Sequence, residues 1–460
     1  MNRAISKLGA VGVLACVCPG VACATDAFNL VGAGPVSQGM GGVGAALGIG
    51  PQGMMLNPAT LTQMREGKHL VVGADIVSAG LEVRNTATGE NARSSSRGRN
   101  NGPYVGPELA FLWRADKLAL GIGAFASDGV GTQFGRNSFL SRTTTNSVDT
   151  GLDSYSRLLV LRIPASVAYQ VSDSLSVGAS LDAVWTSVNL GFLLDTTQIG
   201  ALAGQGGVSG SLVPGLLSVP GLSAGYLDIN NHRATGGGVD AWGIGGRLGV
   251  TYQPNPQTRF GVAYNLKTRV GDLSGDADLT AVSAVAGNIG LAGKAKLRDF
   301  DMPASFVVGM SHAFSDQLTV AFDYKRVFWS DVMKDIKVSF EQAGSGATLD
   351  LELPFNYRDV NVFSLGAQYR FNASWTVRAG AHYAQLASPS SGTLPIIPST
   401  PTTNLTGGFS YAFSPEDAID FSLAYGFKKK VDNDSLPITD KPIEVSHSQI
   451  AASIAYTKRF

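Results

Sequence analysis

The chain is 460 residues long and carries 35 Lys+Arg against 35 Asp+Glu, so its overall charge points to neither nucleic acid nor an acidic substrate. Only 15% of the residues are charged while 57 are glycine, alongside many aromatic and β-branched residues. That balance predicts an all-β protein rich in turns.

Residues 1–24 read as a secretory signal. Arg3 and Lys7 precede an apolar core from Leu8 to Val17, followed by the small-residue pattern Val21-Ala22-Cys23-Ala24. Its removal leaves 33 basic and 35 acidic residues, a charge near −2. All three cysteines, Cys16, Cys18 and Cys23, lie inside it, so the mature chain has no disulfide and no thiol chemistry. A competing reading makes Val13-Leu14-Ala15-Cys16 a lipoprotein site with Cys16 acylated. No later stretch approaches the roughly 18 to 20 continuous apolar residues of a membrane helix. A mature chain in a membrane must therefore be a closed barrel.

Residues 25–67 hold ten glycines, a Gly-Met-Gly-Gly-Val-Gly run over 39–44 and a closing Asn57-Pro58-Ala59. With neither helical periodicity nor strand alternation, this stretch is expected to be compact, irregular and dependent on walls around it. The run spells the dinucleotide-binding G-x-G-x-x-G, but it follows no strand and opens no βαβ unit, so no nucleotide site is read from it. No cofactor and no nucleic-acid partner is expected. Asn57-Pro58 is an Asx-type turn that sets the direction into the first strand, or a turn with no further role. Phe28, near the mature terminus, is an apolar side chain on a mobile end, which left to itself is a disordered terminus.

From residue 68 onward, short segments alternate with period two. Ile419, Phe421, Leu423, Tyr425 and Phe427 fall on one face, against Asp420, Ser422, Ala424 and Gly426 on the other. A soluble sandwich would alternate in the same way, so the connections decide. Six are tight and polar, at 114–117, 171–174, 253–257, 314–317, 371–374 and 413–418. They alternate with seven long ones near 85–101, 135–153, 196–238, 272–295, 342–354, 387–402 and 431–445. Tight turns on one side and long loops on the other are the asymmetry of an outer-membrane barrel.

Counting segments gives fourteen strands, starting near 68, 102, 117, 154, 173, 239, 257, 296, 315, 355, 373, 403, 417 and 446. Tyr169, Tyr252, Phe314, Phe371, Tyr411 and Phe413 cluster at the short turns, as an interfacial girdle does. The last strand ends in the aromatic Phe460, with Lys458 an awkward member of its apolar face. Fourteen strands leave a lumen that wall side chains alone do not fill, and residues 25–67 are available to fill it. The expected fold is all-β: a 14-stranded antiparallel transmembrane β-barrel, residues 68–460, with an N-terminal hatch plugging the lumen.

The segment 117–134 alternates through Leu118, Leu120, Ile122 and Ala124 and then breaks into Ser127-Asp128-Gly129-Val130-Gly131. Glycine and aspartate in a strand interior permit a bulge, or mark an ordinary strand end. The loop 196–238 is unusually apolar, with Leu212, Leu216 and Leu217, and 273–291 repeats the pattern with Leu279. Such runs make a greasy groove for an alkyl or aromatic ligand, or pack on each other over the barrel. Alternation assigns Asp182, Arg247, Arg259, Lys267, Arg269, Asp323, Lys325, Arg370, Arg378 and Asp420 to the lumen, as ion pairs with a few cations free to meet a carboxylate. Basic residues between 93 and 99 and at 428–430 lie near the outer face, where they pair with lipopolysaccharide phosphates or remain solvated. The five histidines, His69, His232, His312, His382 and His447, show no metal-like spacing and have no Ser or Asp partner evident in the sequence.

Taken together, these residues resemble the FadL/TodX outer-membrane transporters for long-chain fatty acids and hydrophobic compounds, over essentially the whole mature chain. Ala27-Phe28-Asn29-Leu30, the glycine-rich stretch and Asn57-Pro58-Ala59 carry the likeness. The resemblance implies passive uptake of fatty acids or of aromatic or alkane hydrocarbons, captured between two outer loops and passed to a pocket filled by Phe28. It implies lateral release through a kink in the third strand, at Ser127, Asp128, Gly129 and Gly131. Lys337 is placed near the lysine used for a fatty-acid head group, and Phe460 resembles the mark read by the barrel assembly machinery. The family's Pro-rich strand start is present as Ser388-Pro389 and Pro395, while its acidic-basic pair is replaced by Thr403-Asn404. A monomer in contact with outer-membrane lipid is expected. A general aqueous porin, an outer-membrane lipase or esterase, and an adhesin or structural barrel are the alternatives.

Overall fold

The structure, a computed structural model, describes residues 27–95, 103–230, 237–398 and 400–460. The signal at 1–24 and the basic residues at 97 and 99 lie outside the described residues. One antiparallel sheet runs through the chain and closes on itself. Its ladder passes from Gly67–Asn85 to Tyr104–Ala115, then through Leu118–Gly135, Ser154–Gln170, Leu175–Asp195 and Val239–Tyr252. It continues strand by strand until Ile443–Arg459 pairs back onto Gly67–Asn85. Closure leaves none of these wall strands with an unpaired side along its whole length, as strands standing in lipid require.

Among the described residues the sheet comprises 22 strand segments, more than the fourteen expected. The additional segments come chiefly from stretches read as loops, Leu222–Ile229, Leu273–Ser283, most of Gly287–Arg298 and Thr348–Pro354. Another is Asp335–Gln342, a separate strand where the one expected from 315 continues to the loop. These pair with one another above the wall and bury alternate apolar side chains in a common outer core, with Leu273, Leu279, Leu297, Val338 and Leu353 all buried. Long apolar loops must satisfy their backbone somewhere, and mutual pairing does so. The strand expected to begin near 296 begins instead at Ser305, because Asp299 adopts a positive φ of 56° and Pro303 follows.

Side-chain orientation is inverted relative to a soluble protein. Leu423, Tyr425 and Phe427 face outward at 46%, 44% and 43% exposure, while the intervening Ser422 and Ala424 are buried. The outward band continues through Ile454, Ile450, Leu405, Leu365 and Leu248. Apolar surface turned away from the core around a closed sheet is what a bilayer requires. Phe314, Phe371 and Phe413 stand exposed at the tight turns and pack edge-on against His312, Tyr369 and Tyr411 at 4.7, 4.9 and 4.9 Å. Lys458 is not a misfit, since its ammonium pairs with Asp417 at 2.9 Å and lies over the Phe460 ring.

Residues 27–66 fold into a short helix, Gly34–Gly39, and two 3-10 turns, Pro51–Met55 and Pro58–Gln63, nearly all of it buried. Their polar groups bond to strands far apart in the circuit. The amides of Gly44 and Ala45 donate to Asp323 at 2.7 and 2.8 Å, Gly41 donates to Thr406 at 2.9 Å, and the Gln52 amide group donates to Glu108 at 2.5 Å. Asn57 is fully buried and is more than a turn. Its side chain donates to the carbonyls of Ala45 at 2.6 Å and Val250 at 3.2 Å, and accepts from the Ala59 amide at 3.0 Å. Gly178 and Gly249 of the wall leave no room for a Cβ against Pro58-Ala59 and Asn57, so this close seat depends on glycine in the wall as well as in the segment.

Of the charges assigned inward, Asp182, Arg247, Asp323 and Asp420 are buried, the Arg378 side chain is shielded and pairs with Asp420 at 3.5 Å, and Arg259 bonds to Gln63 at 2.7 Å. Lys267, Arg269 and Arg370 are exposed instead. They lie at or beyond strand ends, where alternation no longer governs direction.

Replacing Asn57 by Ala leaves buried carbonyls without a donor, and a loss of about 1–3 kcal/mol is expected. Denaturant unfolding in detergent would measure it, and a stability within about 0.5 kcal/mol of the parent would rule out this seat as a structural anchor.

Candidate functional site

Two apolar spaces lie on the outer half of the molecule. The upper one is a groove bordered by Phe192, Ile199, Val213, Leu216, Leu217, Leu227, Leu279 and Leu351, and every atom it exposes is apolar. The structure thus brings Leu216, Leu217 and Leu279 together from two loops. Leu212 is not on the groove wall but packs into the same apolar cluster. One side rests on the helix Thr196–Gly204, which Asp195 caps by accepting from the Thr197 amide at 3.0 Å. Gln198 of that helix donates to the carbonyls of Pro437 and Ile438, tying it to a neighbouring loop.

The inner space is bordered by Phe28, Val130, Leu158, Leu190, Leu297, Phe300, Met333, Ile336 and Phe355. Its free cavity is only about 30 Å³, on the order of two waters, because Phe28 fills it. Phe28 is 5% exposed, so its side chain is packed rather than loose. Its ring meets Trp329 edge-on at 5.6 Å and Tyr357 at 6.1 Å. Trp329 and Tyr357 were not singled out from sequence. They sit in short irregular pieces between strands, where no periodicity marks a residue as inward.

What holds Phe28 there is the break in the strand Leu118–Gly135. Its ladder to Tyr104–Ala115 stops at Phe125, opposite Glu108, and its register on Ser154–Gln170 shifts between Ala126 and Asp128. Ser127 is the bulged residue. The backbone groups freed at the bulge are taken by the N-terminal segment: Leu30 N–H donates to Ser127 O at 3.3 Å, Gly129 N–H donates to Phe28 O at 3.1 Å, and Asn29 bridges to Asp128. The break is therefore not an ordinary strand end. Gly131 lies beyond it, in the resumed ladder opposite Arg157. Among the described residues, backbone contact on the open edge resumes at Gln133, which accepts from Ser95 at 2.8 Å.

Below the bulge the lumen is polar. A cavity of about 150 Å³ is bordered by Asn29, Asp75, Asp128, Arg162, Arg247, Asp323 and Lys325. Asp182, fully buried, holds both Arg162 and Arg247 at 3.0 and 2.6 Å. Two cations on one carboxylate make a fixed charge cluster next to the N-terminal segment.

Lys337 does not border the inner pocket. Its ammonium pairs with Asp299 at 3.2 Å on the outside of a hairpin, because Ile336 and Val338 take the inward positions and the period of two sends Lys337 the other way. Arg157 does border the pocket, but the surface there is apolar and its own polar group is engaged elsewhere. Near the outer rim, Arg93 and Lys428 share Glu82 at 3.5 and 3.9 Å, and Lys430 pairs with Glu444 at 2.8 Å. Among the described residues no group of His, Cys, Asp or Glu is arranged to hold a metal ion.

The chain matches the family described as outer membrane protein transport protein (OMPP1/FadL/TodX) over residues 19–460. It is 29% identical to outer membrane protein P1 of Haemophilus influenzae, over 74% of this chain and 70% of that protein. It is 23% identical to a long-chain fatty acid transport protein of Escherichia coli, over 88% of this chain and 86% of that one. Among solved structures it resembles the CymD monoaromatic hydrocarbon channel, at 63% identity and a TM-score of 0.76, over 94% of this chain and 99% of that one. The toluene transporter TbuX of Ralstonia pickettii, at 56% identity and 0.80, is matched over the same shares. The toluene transporter TodX of Pseudomonas putida, at 39% and 0.84, also covers 94% of this chain and 99% of its own. With a closed barrel turned apolar-side out and relatives of this kind, the chain is an outer-membrane protein and belongs to the FadL/TodX family.

Proposed function

We propose that the chain is a passive uptake channel for hydrophobic molecules, and that its cargo is a monoaromatic hydrocarbon. The observation that carries this reading is the inner pocket: it exposes only apolar atoms, and it is filled by the chain's own benzyl ring, Phe28. The names of the CymD, TbuX and TodX relatives support an aromatic cargo. Transfer into an apolar groove and then into lipid runs downhill for such a molecule, so no energy source is needed. Arg157 beside the pocket favours a second reading, a fatty acid whose carboxylate draws that guanidinium inward.

On this reading cargo is caught at Leu216, Leu217 and Leu279, with Leu212 supporting the groove, and moves to the Phe28 pocket. Residues 25–67 act as a hatch, and the charge cluster around Asp182 opposes further descent, since an apolar guest gains nothing from displacing its hydration. Exit is sideways, at the bulge of Ser127, Asp128 and Gly129, where the wall has already parted. Catalysis plays no part. The channel works as a monomer, with Phe460 as the mark for the assembly machinery and the basic outer rim in contact with lipopolysaccharide.

Phe28 competes with cargo for its own pocket, so Phe28→Ala is expected to tighten toluene binding several-fold. Mass spectrometry of copurified lipophiles should show correspondingly greater loading. Equal loading in the two proteins would mean that Phe28 does not occupy the cargo site.

Deleting Ser127 removes the extra residue and lets the ladder close. Toluene uptake by cells carrying the variant is expected to fall at least tenfold, with the barrel still folded. Unchanged uptake would place the exit elsewhere.

In planar bilayers the intact protein is expected to show no large, steady open current. Such a current would favour the aqueous porin.

A further inference from the structure

Two irregular pieces of chain meet behind Phe28, the turn Trp329–Asp331 and residues 355–359. Backbone bonds lock them together, with Phe355 N–H on Lys334 O at 2.9 Å and Tyr357 N–H on Met333 O at 3.0 Å. The Asp359 carboxylate then accepts from the Ser330 amide at 3.2 Å, the Ser330 hydroxyl at 2.7 Å and Arg326 at 3.1 Å. Burial pushes the Asp359 carboxyl up, but the bonds from Ser330 and Arg326 outweigh it and hold it below the ordinary carboxylate range. The pin is therefore charged at neutral pH.

This scaffold fixes an aromatic box. Trp329 and Tyr357 lie 6.0 Å apart at 73°, and Phe355 and Tyr357 lie 5.8 Å apart. Phe28 closes it, standing at 89° to Trp329 and 32° to Tyr357. Phe28 is the one ring of the four carried on the N-terminal segment. The other three stay when it leaves. Trp329 is wholly buried, and its indole N–H has no hydrogen-bond acceptor among the described residues. A buried donor without an acceptor is unfavourable unless its positive edge faces a π cloud.

We propose that Trp329, with Tyr357, makes the inner pocket selective for a π-faced guest, the unpaired indole N–H serving as donor to the ring that takes the place of Phe28. The proposal rests on the hydrocarbon-channel reading above and adds the residue that discriminates within it. A saturated ring of the same size buries as much apolar area and gains as much from it. It lacks the quadrupole that edge-to-face contacts require, a difference of roughly two- to tenfold in affinity.

The test uses the mature protein in detergent, with dissociation constants for toluene and methylcyclohexane measured on the parent, Trp329→Leu and Trp329→Phe. The parent is expected to prefer toluene by about two- to tenfold. In Trp329→Leu that preference should fall to within about twofold of unity through weaker toluene binding, with methylcyclohexane little changed. Trp329→Phe, which keeps a ring edge but has no N–H, should fall between. A preference unchanged in both variants, or both ligands weakened alike, overturns the proposal. Should Trp329→Leu not fold, Trp329→Phe decides alone, since a reduced preference supports the proposal and an intact one overturns it. A parent that binds both compounds equally defeats the selectivity only. A parent that binds neither defeats the hydrocarbon-channel reading itself.

Discussion

A strand in lipid cannot leave its neighbour unless something else takes the backbone groups it frees. The strand Leu118–Gly135 parts from Tyr104–Ala115 after Phe125, and residues 28–30 take up the groups at Ser127 and Gly129. That splice is the interaction on which the rest depends. It lets the wall carry a break, it orders the chain's first described residues, and it holds the Phe28 ring where the inner pocket would otherwise be open. Break, terminus and pocket are thus one mechanical unit.

The interior is divided by polarity along its length. Outward of the splice the two spaces expose only apolar atoms. Inward of it stand Arg162, Asp182 and Arg247, close-packed and buried. A buried ion cluster of this kind contributes little net stability, because desolvation offsets its attraction. Its consequence is felt by an apolar guest, which gains from water exclusion above the splice and finds no comparable gain below it. On the proposed route the direction of travel follows from this division rather than from any moving part.

On the proposed route, selectivity and capture rest on different kinds of contact. The outer groove is bordered by aliphatic side chains and Phe192 from short helices and paired strands, and on the proposed route it takes any apolar molecule that fits. The inner pocket is bordered by aliphatic side chains with Phe300 and Phe355, and the ring that fills it, Phe28, packs on Trp329 and Tyr357, which the Asp359 pin and the backbone bonds of Met333 and Lys334 hold in place. On the proposed reading, the rings behind Phe28 distinguish guests by charge distribution, which dispersion and area burial do not.

The barrel was legible because its cause is local. A period of two, tight turns alternating with long loops and aromatics at the turns are properties of adjacent residues, and they sufficed for an all-β closed wall. The bulge was legible too, since Ser127-Asp128-Gly129 is a poor strand interior wherever it lies. The outer hairpins were not, because Leu273–Ser283 and Gly287–Arg298 acquire strand geometry by pairing with partners as distant as Leu222–Ile229 and Asp335–Gln342. Lys337 was placed by analogy in a region where one residue of register reverses a side chain, and pairing turned it outward. Trp329 and Tyr357 carry no signal in their own neighbourhoods. Sequence by itself determined which side chains share a strand face, through alternation, and which solvent those faces meet, through tight turns that alternate with long loops. Only the folded chain decided which distant rings, charges and backbone edges meet inside the wall, because those contacts join segments whose order along the chain says nothing about their distance in space.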